Sequence, residues 1–346
     1  MSAPTAPSFA VAPPGAPLRS LDFDPALAPK EPARALAYFR KAAEDGVPAA
    51  QFSLAGMYFD GQGVPKNLKE AARWYEAAAK QGHSRAQSNL GLMYLNGWGV
   101  EKSVRQSVVW FRKAAEQGDA VGQSNLGAAY VNGTGVLVDS AAGAAWLRKA
   151  AEQGVAEAQY GLATLYVNGR GVPVDLNSAA LWLQRAAAQQ FPKAQLVLGQ
   201  MYVNGQITDP GHEGVRFIEA AANSGLADAP LALAKMYRDG RGVSASSTLA
   251  LNWFLKSADL NSGEAQYAVG EMYRDGKGVP KDVVMAYAWF ALAAANHYKG
   301  GLPALNALSP VMTMAQLTAG QQRAYALMMK ILQARSATPL PVWAQP

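Results

Sequence analysis

Between residues 47 and 297 the apolar positions recur on two nested periods. Within a dozen residues they fall four apart, the interval that lines one face of an α-helix. Over the longer range the whole pattern returns at 47–82, 83–118, 119–154, 155–190, 191–225, 226–261 and 262–297. The fourth position of each repeat is alanine, except for Gly122. The eighth is aliphatic: Leu54, Leu90, Leu126, Leu162, Leu198, Leu233 and Val269. The twelfth is always tyrosine, from Tyr58 through Tyr94, Tyr130, Tyr166, Tyr202 and Tyr237 to Tyr273. Positions four, eight and twelve therefore form the buried stripe of a first helix.

A turn follows at fixed phase. Its first glycine is invariant (Gly61, Gly97, Gly133, Gly169, Gly205, Gly240 and Gly276), and in six repeats a second glycine and a valine follow. Glycine ends the first helix because it adopts the left-handed conformation without a Cβ penalty. The valine is expected to anchor the loop between the helices. A second helix carries tryptophan at position 28 in six repeats, at Trp74, Trp110, Trp146, Trp182, Trp253 and Trp289, commonly followed by an alanine pair. Small residues let helix axes approach while the indole fills the gap between repeats. A closing Gly82, Gly118, Gly154 or Gly225, or Asn261 in the sixth repeat, releases the chain into the next first helix. The fifth repeat departs from this scheme. It is one residue short, replaces the second glycine and valine with Ile207–His212, and has Phe217 near the tryptophan position. A hinge and neutral drift are both compatible with that change.

The strings A-Q-x-x-L-G-x-x-Y-x-N-G-x-G-V and A-x-x-W-x-x-K-A-A-E-Q-G resemble those of the SEL-like repeat (SLR) family, relatives of tetratricopeptide repeats with longer loops. The resemblance covers residues 47–297 and implies an all-α fold, a right-handed α-solenoid of helix-turn-helix repeats with a tetratricopeptide-like superhelix. It also implies a scaffold or adaptor that binds a protein or peptide on a concave face lined by the first helices, in bacterial signalling or envelope-associated assembly. Around the repeats the expected organisation is a Pro/Ala-rich tail over 1–30, a half-repeat over 31–46, C-terminal capping helices over 298–335 and a tail over 336–346. Thr313 and Gln316 have the spacing of a capping box that opens the last helix.

Composition adds mainly exclusions. Half of the 346 residues are hydrophobic, but alanine inflates that share. The apolar stretch Ala286–Ala295 is too short to span a bilayer. The first residues show no basic segment followed by an apolar one, so a cytoplasmic location is expected for a full gene product, and a periplasmic or envelope location for a trimmed one. With no cysteine there is no thiolate nucleophile or thiolate metal site. His83, His212 and His297 occupy different repeat phases, and Ser-x-x-Lys, His-Glu-x-x-His, Gly-x-Ser-x-Gly and P-loop motifs do not occur. The Gly-x-Gly pairs follow helices and read as turns. Asp239 and Asp275, each beside an arginine, read as helix ends. No enzymatic activity, cofactor, metal or small-molecule substrate is expected.

By helical spacing, positions 3, 6, 10, 13 and 14 of each repeat flank the buried stripe on its outer side. They present Phe52, Phe59, Leu92 and Leu95 early, Tyr160, Thr164, Val167 and Gln200 in the middle, and Lys235, Arg238, Tyr267, Glu271 and Arg274 late. A partner with an apolar anchor followed by a mixed-charge segment suits that order; filling of inter-repeat contacts is the alternative use of the apolar members. Position 14 is asparagine at Asn96, Asn132, Asn168 and Asn204, which fits either a clamp for a peptide backbone or ordinary helix-ending chemistry. Trp98 stands in a loop where the other repeats have polar residues, and fits either an interface anchor or packing onto the adjacent loop. The second helices carry a basic stripe at Arg40–Lys41, Arg112–Lys113, Arg148–Lys149, Arg185 and Lys256. Glu44, Glu116 and Glu152 lie four residues after Arg40, Arg112 and Arg148, so local pairing is expected, and nucleic acid or an anionic membrane is the lesser expectation. Oligomeric state has no sequence signal.

Overall fold

The computed structural model describes residues 32–209, 211 and 213–337. The segment 1–30, Pro210, His212 and most of the tail after 335 lie outside the described residues. Seventeen α-helices and no strand occur among those described. In the first half they are α1 (Pro32–Glu44), α2 (Pro48–Asp60), α3 (Leu68–Lys80), α4 (Ser84–Asn96), α5 (Val104–Glu116), α6 (Ala120–Asn132), α7 (Ser140–Glu152) and α8 (Ala156–Asn168). There follow α9 (Leu176–Ala188), α10 (Pro192–Val203), α11 (Gly214–Asn223), α12 (Ala229–Asp239), α13 (Ser247–Asp259), α14 (Gly263–Asp275), α15 (Val283–Ala295), α16 (Gly301–Leu308) and α17 (Met314–Ala337). Two compact units divide between Trp182 and Leu183.

In the N-terminal unit each repeat is a pair of 13-residue helices. Asn67, Ser103 and Asp139 accept N–H bonds at the starts of α3, α5 and α7, satisfying donors that have no partner inside a helix. Gly61, Gly97, Gly133 and Gly169 end the first helices with φ between 63° and 77°. The second glycine answers a different need. A Cβ on Gly99 would lie 2.0 Å from the Leu68 carbonyl oxygen, and one on Gly135 would lie 2.2 Å from that of Val104. The loop thus runs against the start of the preceding repeat's second helix. The stripe leucines Leu54, Leu90, Leu126 and Leu162 are at most 1 % exposed. Gly91 leaves room for the Phe111 ring, whose nearest carbon would be 2.6 Å from a Cβ there.

The C-terminal unit keeps the pattern in its sixth and seventh repeats and loses it in the fifth. There α10 ends one residue early, at Val203, with Gly205 still left-handed at φ 65°, and α11 has only ten residues. Asp209 holds the chain before α11, its carboxylate accepting from the N–H groups of Glu213 and Gly214 at 2.9 Å each. Asn261 adopts φ 68° at the close of the sixth repeat. At its start α17 carries a reciprocal capping box: Gln316 N–H donates to Thr313 Oγ1 at 3.2 Å, and Thr313 N–H donates to Gln316 Oε1 at 2.9 Å. Ile331 of α17 is buried with Leu251, Phe254 and Trp289, and Lys330 pairs with Asp259 at 3.0 Å.

Candidate partner-binding surface

The outer sides of the first helices are joined between the sixth and seventh repeats. Lys235, at position 10 of the sixth repeat, pairs with Glu264, at position 3 of the seventh, at 2.7 Å. Arg238 makes a two-pronged contact with Asp239 at 2.7 and 3.1 Å, and Arg241 donates to the same carboxylate at 2.9 Å. Arg274 and Asp275 repeat that geometry one repeat later, with Glu271 3.6 Å and Lys277 3.5 Å from their partners. The hydrogen bonds from Arg238 and Arg274 hold the Asp239 and Asp275 carboxyls below the usual carboxylate range. The Tyr267 hydroxyl donates to Glu271 at 3.1 Å, and its ring packs near Phe290 and Tyr298. Burial, followed by the hydrogen bond to Glu271 and then its charge, pushes the Tyr267 phenol up. Lys235, Arg238, Tyr267, Glu271 and Arg274 are therefore brought together as one charge-paired surface.

In the N-terminal unit several of the expected apolar contacts face neighbouring repeats. Phe52 stacks on His83 at 4.7 Å and 17°, and it leans on Tyr75 at 5.7 Å. Phe59 meets the edge of Trp98 at 5.6 Å, so this tryptophan packs onto the preceding repeat. Both it and Phe59 remain half-buried. Leu92 and Leu95 lie against a cluster formed by Val108, Phe111 and Leu126. Asn96 and Asn168 donate back to the Leu92 and Thr164 carbonyls at 2.9 and 2.8 Å, the bonds of a helix end. Asn132 and Asn204 are exposed, while Tyr160 and Gln200 are half-buried. Burial raises the Tyr160 phenol and lowers His83, whose Nδ1 accepts the Ala86 N–H at 3.2 Å.

The basic stripe finds partners other than the glutamates expected for it. Arg40, Arg112 and Arg148 donate to the hydroxyls of Tyr58, Tyr130 and Tyr166, each 18 residues on, at 3.0, 2.9 and 2.7 Å. Lys113, Lys149 and Lys256 sit over Trp110, Trp146 and Trp253 at 4.4, 4.2 and 3.8 Å from the ring centroids. In each case the tyrosine belongs to the first helix that follows.

A second network had a signal in the repeat strings but no assigned role. The glutamine at position five is buried in the N-terminal unit. Gln51, Gln87 and Gln123 donate to the carbonyls of Ala43, Ala79 and Ala115, eight residues back at the end of the preceding second helix. Each also accepts from Gln81, Gln117 or Gln153, thirty residues ahead, at 2.7–2.8 Å. One carboxamide thereby ties three consecutive helices. In the C-terminal unit Gln266 does the same with Ala258 and Asn296, whereas Pro230 interrupts the series.

Comparison with known proteins agrees with this architecture. The model of the Sel1 repeat matches residues 26–47, 48–83, 84–119, 120–155, 156–191, 192–226, 227–262 and 263–298. The first match is shorter than the others and begins at 26, ahead of the half-repeat expected over 31–46. A Sel1 repeat protein from Oxalobacter formigenes is 32 % identical over 79 % of this chain and 80 % of its own, with a TM-score of 0.63. A protective antigen of uropathogenic Escherichia coli, described as displaying an SLR fold, is 25 % identical over 92 % of this chain and 93 % of its own, with a TM-score of 0.37. No curated protein is similar enough to match.

Proposed function

We propose that this chain, which belongs to the Sel1 repeat family, is an adaptor holding a partner protein or peptide along the outer side of its first helices. Sel1 repeat proteins are generally protein-interaction scaffolds, and the fold is of a generally non-enzymatic type. The observation that carries the reading is the Lys235–Glu264 pair, which joins outer positions of two successive repeats into one surface. A ligand lying along such a surface touches several repeats at once. The setting proposed is bacterial signalling or envelope-associated assembly.

The cations of the second helices support a protein ligand over nucleic acid. Arg40, Arg112 and Arg148 are engaged by tyrosine hydroxyls, and Lys113, Lys149 and Lys256 by indoles. Releasing the arginines to phosphates would break inter-repeat contacts, and releasing the lysines would give up a cation–π contact within their own helix. The test is photo-crosslinking in native cells, with benzoylphenylalanine placed at the outer first-helix positions Arg85, Thr164 and Lys193 and at the outer second-helix positions Val109 and Ala145. The reading expects one protein to be captured from the first set and not from the second. Equal capture from both sets, or capture only from the second, would overturn it.

A further inference from the structure

Position 16 of a repeat lies in its loop after the first glycine, and at Trp98 and Arg170 it contacts position 13 of the repeat before. Trp98 packs against Phe59 in this way. Arg170 reaches across to donate to the Val131 carbonyl. Arg241 has the same residue type at the same phase, and its counterpart across the slot is Val203. It turns instead to Asp239, donating at 2.9 Å. Repeat four has the neutral Asn168 where repeat six has Asp239, so Arg170 has no carboxylate at that position to pair with. Repeat five adds to the opening, because α11 starts late and has no tryptophan.

The slot left open between α10 and α12 is a cavity of about 120 Å³. Val203 and Met236 give it an apolar floor backed by the fully buried Ile218, and Gln200 and Asn204, four apart in sequence, form a polar wall. Its charged lining residues are Lys235 and Arg241, two cations with no carboxylate among the lining. Lys235 spends one ammonium proton on Glu264, and Arg241 one N–H on Asp239, so both keep donors for a further anion.

We infer that this slot is a subsite for one aliphatic side chain, of leucine or isoleucine size, with a carboxylate on the next residue of a bound peptide. The inference rests on the adaptor reading and gives it a partner chemistry. Volume selects the side chain, since an apolar cavity of about 150 Å³ holds a benzene ring, and a slightly smaller one holds a branched aliphatic group and not an indole. Charge selects its neighbour: a carboxylate at the rim bridges Lys235 and Arg241. The Gln200 and Asn204 carboxamides can donate to and accept from the peptide backbone between them.

The test uses the full chain with ¹³C-methyl labels on isoleucine and methionine, titrated with acetyl-Leu-Glu-amide and acetyl-Leu-Lys-amide. The acidic probe is expected to shift the Ile218 and Met236 methyl signals saturably, with affinity about tenfold above that of the basic probe. Arg241→Gln should reduce that preference to about twofold or less while binding persists. Ala232→Leu, which fills the slot, should abolish the shifts, and Val203→Met provides a second filling variant if the first does not fold. Absence of shifts, equal response to the two probes, or shifts that survive filling would overturn the subsite. The two readings fail separately. A partner captured equally by the filled and unfilled chains removes the subsite and leaves the adaptor. A probe that binds while no partner is captured at the first helices removes the adaptor and leaves the subsite.

Discussion

Replacing Gln87 by leucine tests whether the buried carboxamides couple neighbouring repeats. Gln87 is 4 % exposed; its Nε2 donates to the Ala79 carbonyl at 3.0 Å, and its Oε1 accepts from Gln117 at 2.7 Å. Leucine is close in size and removes both bonds. The groups left behind are not fully orphaned. The Ala79 carbonyl still accepts from the Gly82 N–H at 3.1 Å, and Gln117 keeps a long bond to the Lys113 carbonyl. The cost is therefore two net hydrogen bonds and no large desolvation penalty, about 2 kcal/mol in total. Arrays of repeats can unfold in parts, so the assay is hydrogen exchange read by mass spectrometry over α3 to α5, alongside urea denaturation. Exchange in those helices should rise with the lost stability, while that in the C-terminal unit stays near its original rate. Gln195 is the control: it holds the same repeat position at 7 % exposure, but makes no side-chain hydrogen bond among the described residues. Gln195→Leu should change stability by less than about 0.5 kcal/mol, or raise it, since burying a carbon costs nothing in hydrogen bonds. Equal losses from the two substitutions would refute the coupling argument.

Three further outcomes follow from the same geometry. Ser257 stands at a buried position filled by Ala78, Ala114, Ala150, Ala186 and Ala293 in other repeats, and its hydroxyl has no hydrogen-bond partner; Ser257→Ala should raise stability by about 1 kcal/mol in urea denaturation. Gly99→Ala should cost about 3 kcal/mol because its Cβ would overlap the Leu68 carbonyl, whereas Gly82→Ala, with open space around it, should cost only the left-handed penalty of about 1 kcal/mol. The His83 imidazole, lowered first by burial and then by Arg85, accepts its cap hydrogen bond in the neutral form. The unfolded chain therefore binds this proton more readily, so its contribution is fully present above the ordinary histidine range, about 6.5, and is lost as pH falls from there toward the lower folded value. Stability measured against pH should flatten in that window in His83→Asn, which keeps the cap without the titration.

The sequence carried the helix pairs plainly because each marker has one physical use. Tyr58 and its equivalents, the first glycines and the Thr313–Gln316 box reappear in the structure where spacing put them. Side-chain partners were less legible, since they lie eight to thirty residues apart. Nothing local shows that Arg112 prefers a tyrosine 18 residues on to Glu116, or that Gln87 joins Ala79 to Gln117. Asn96 and Trp98 were each open to two uses; the first bonds back to its own helix and the second packs on Phe59, and both keep accessible surface. Arg170 and Arg241 illustrate the limit most clearly. They are the same residue at the same phase, and a single carboxylate two positions earlier decides which of them fills its slot.

The most direct measurement of the central claim is the affinity of the crosslinked partner for two doubly substituted chains, by calorimetry. Thr164→Glu with Lys193→Glu alters the outer side of the first helices; Val109→Glu with Ala145→Glu alters that of the second. The adaptor account predicts that the first pair weakens binding at least about tenfold and that the second changes it by less than about twofold. Loss of binding in the second pair with none in the first would contradict it.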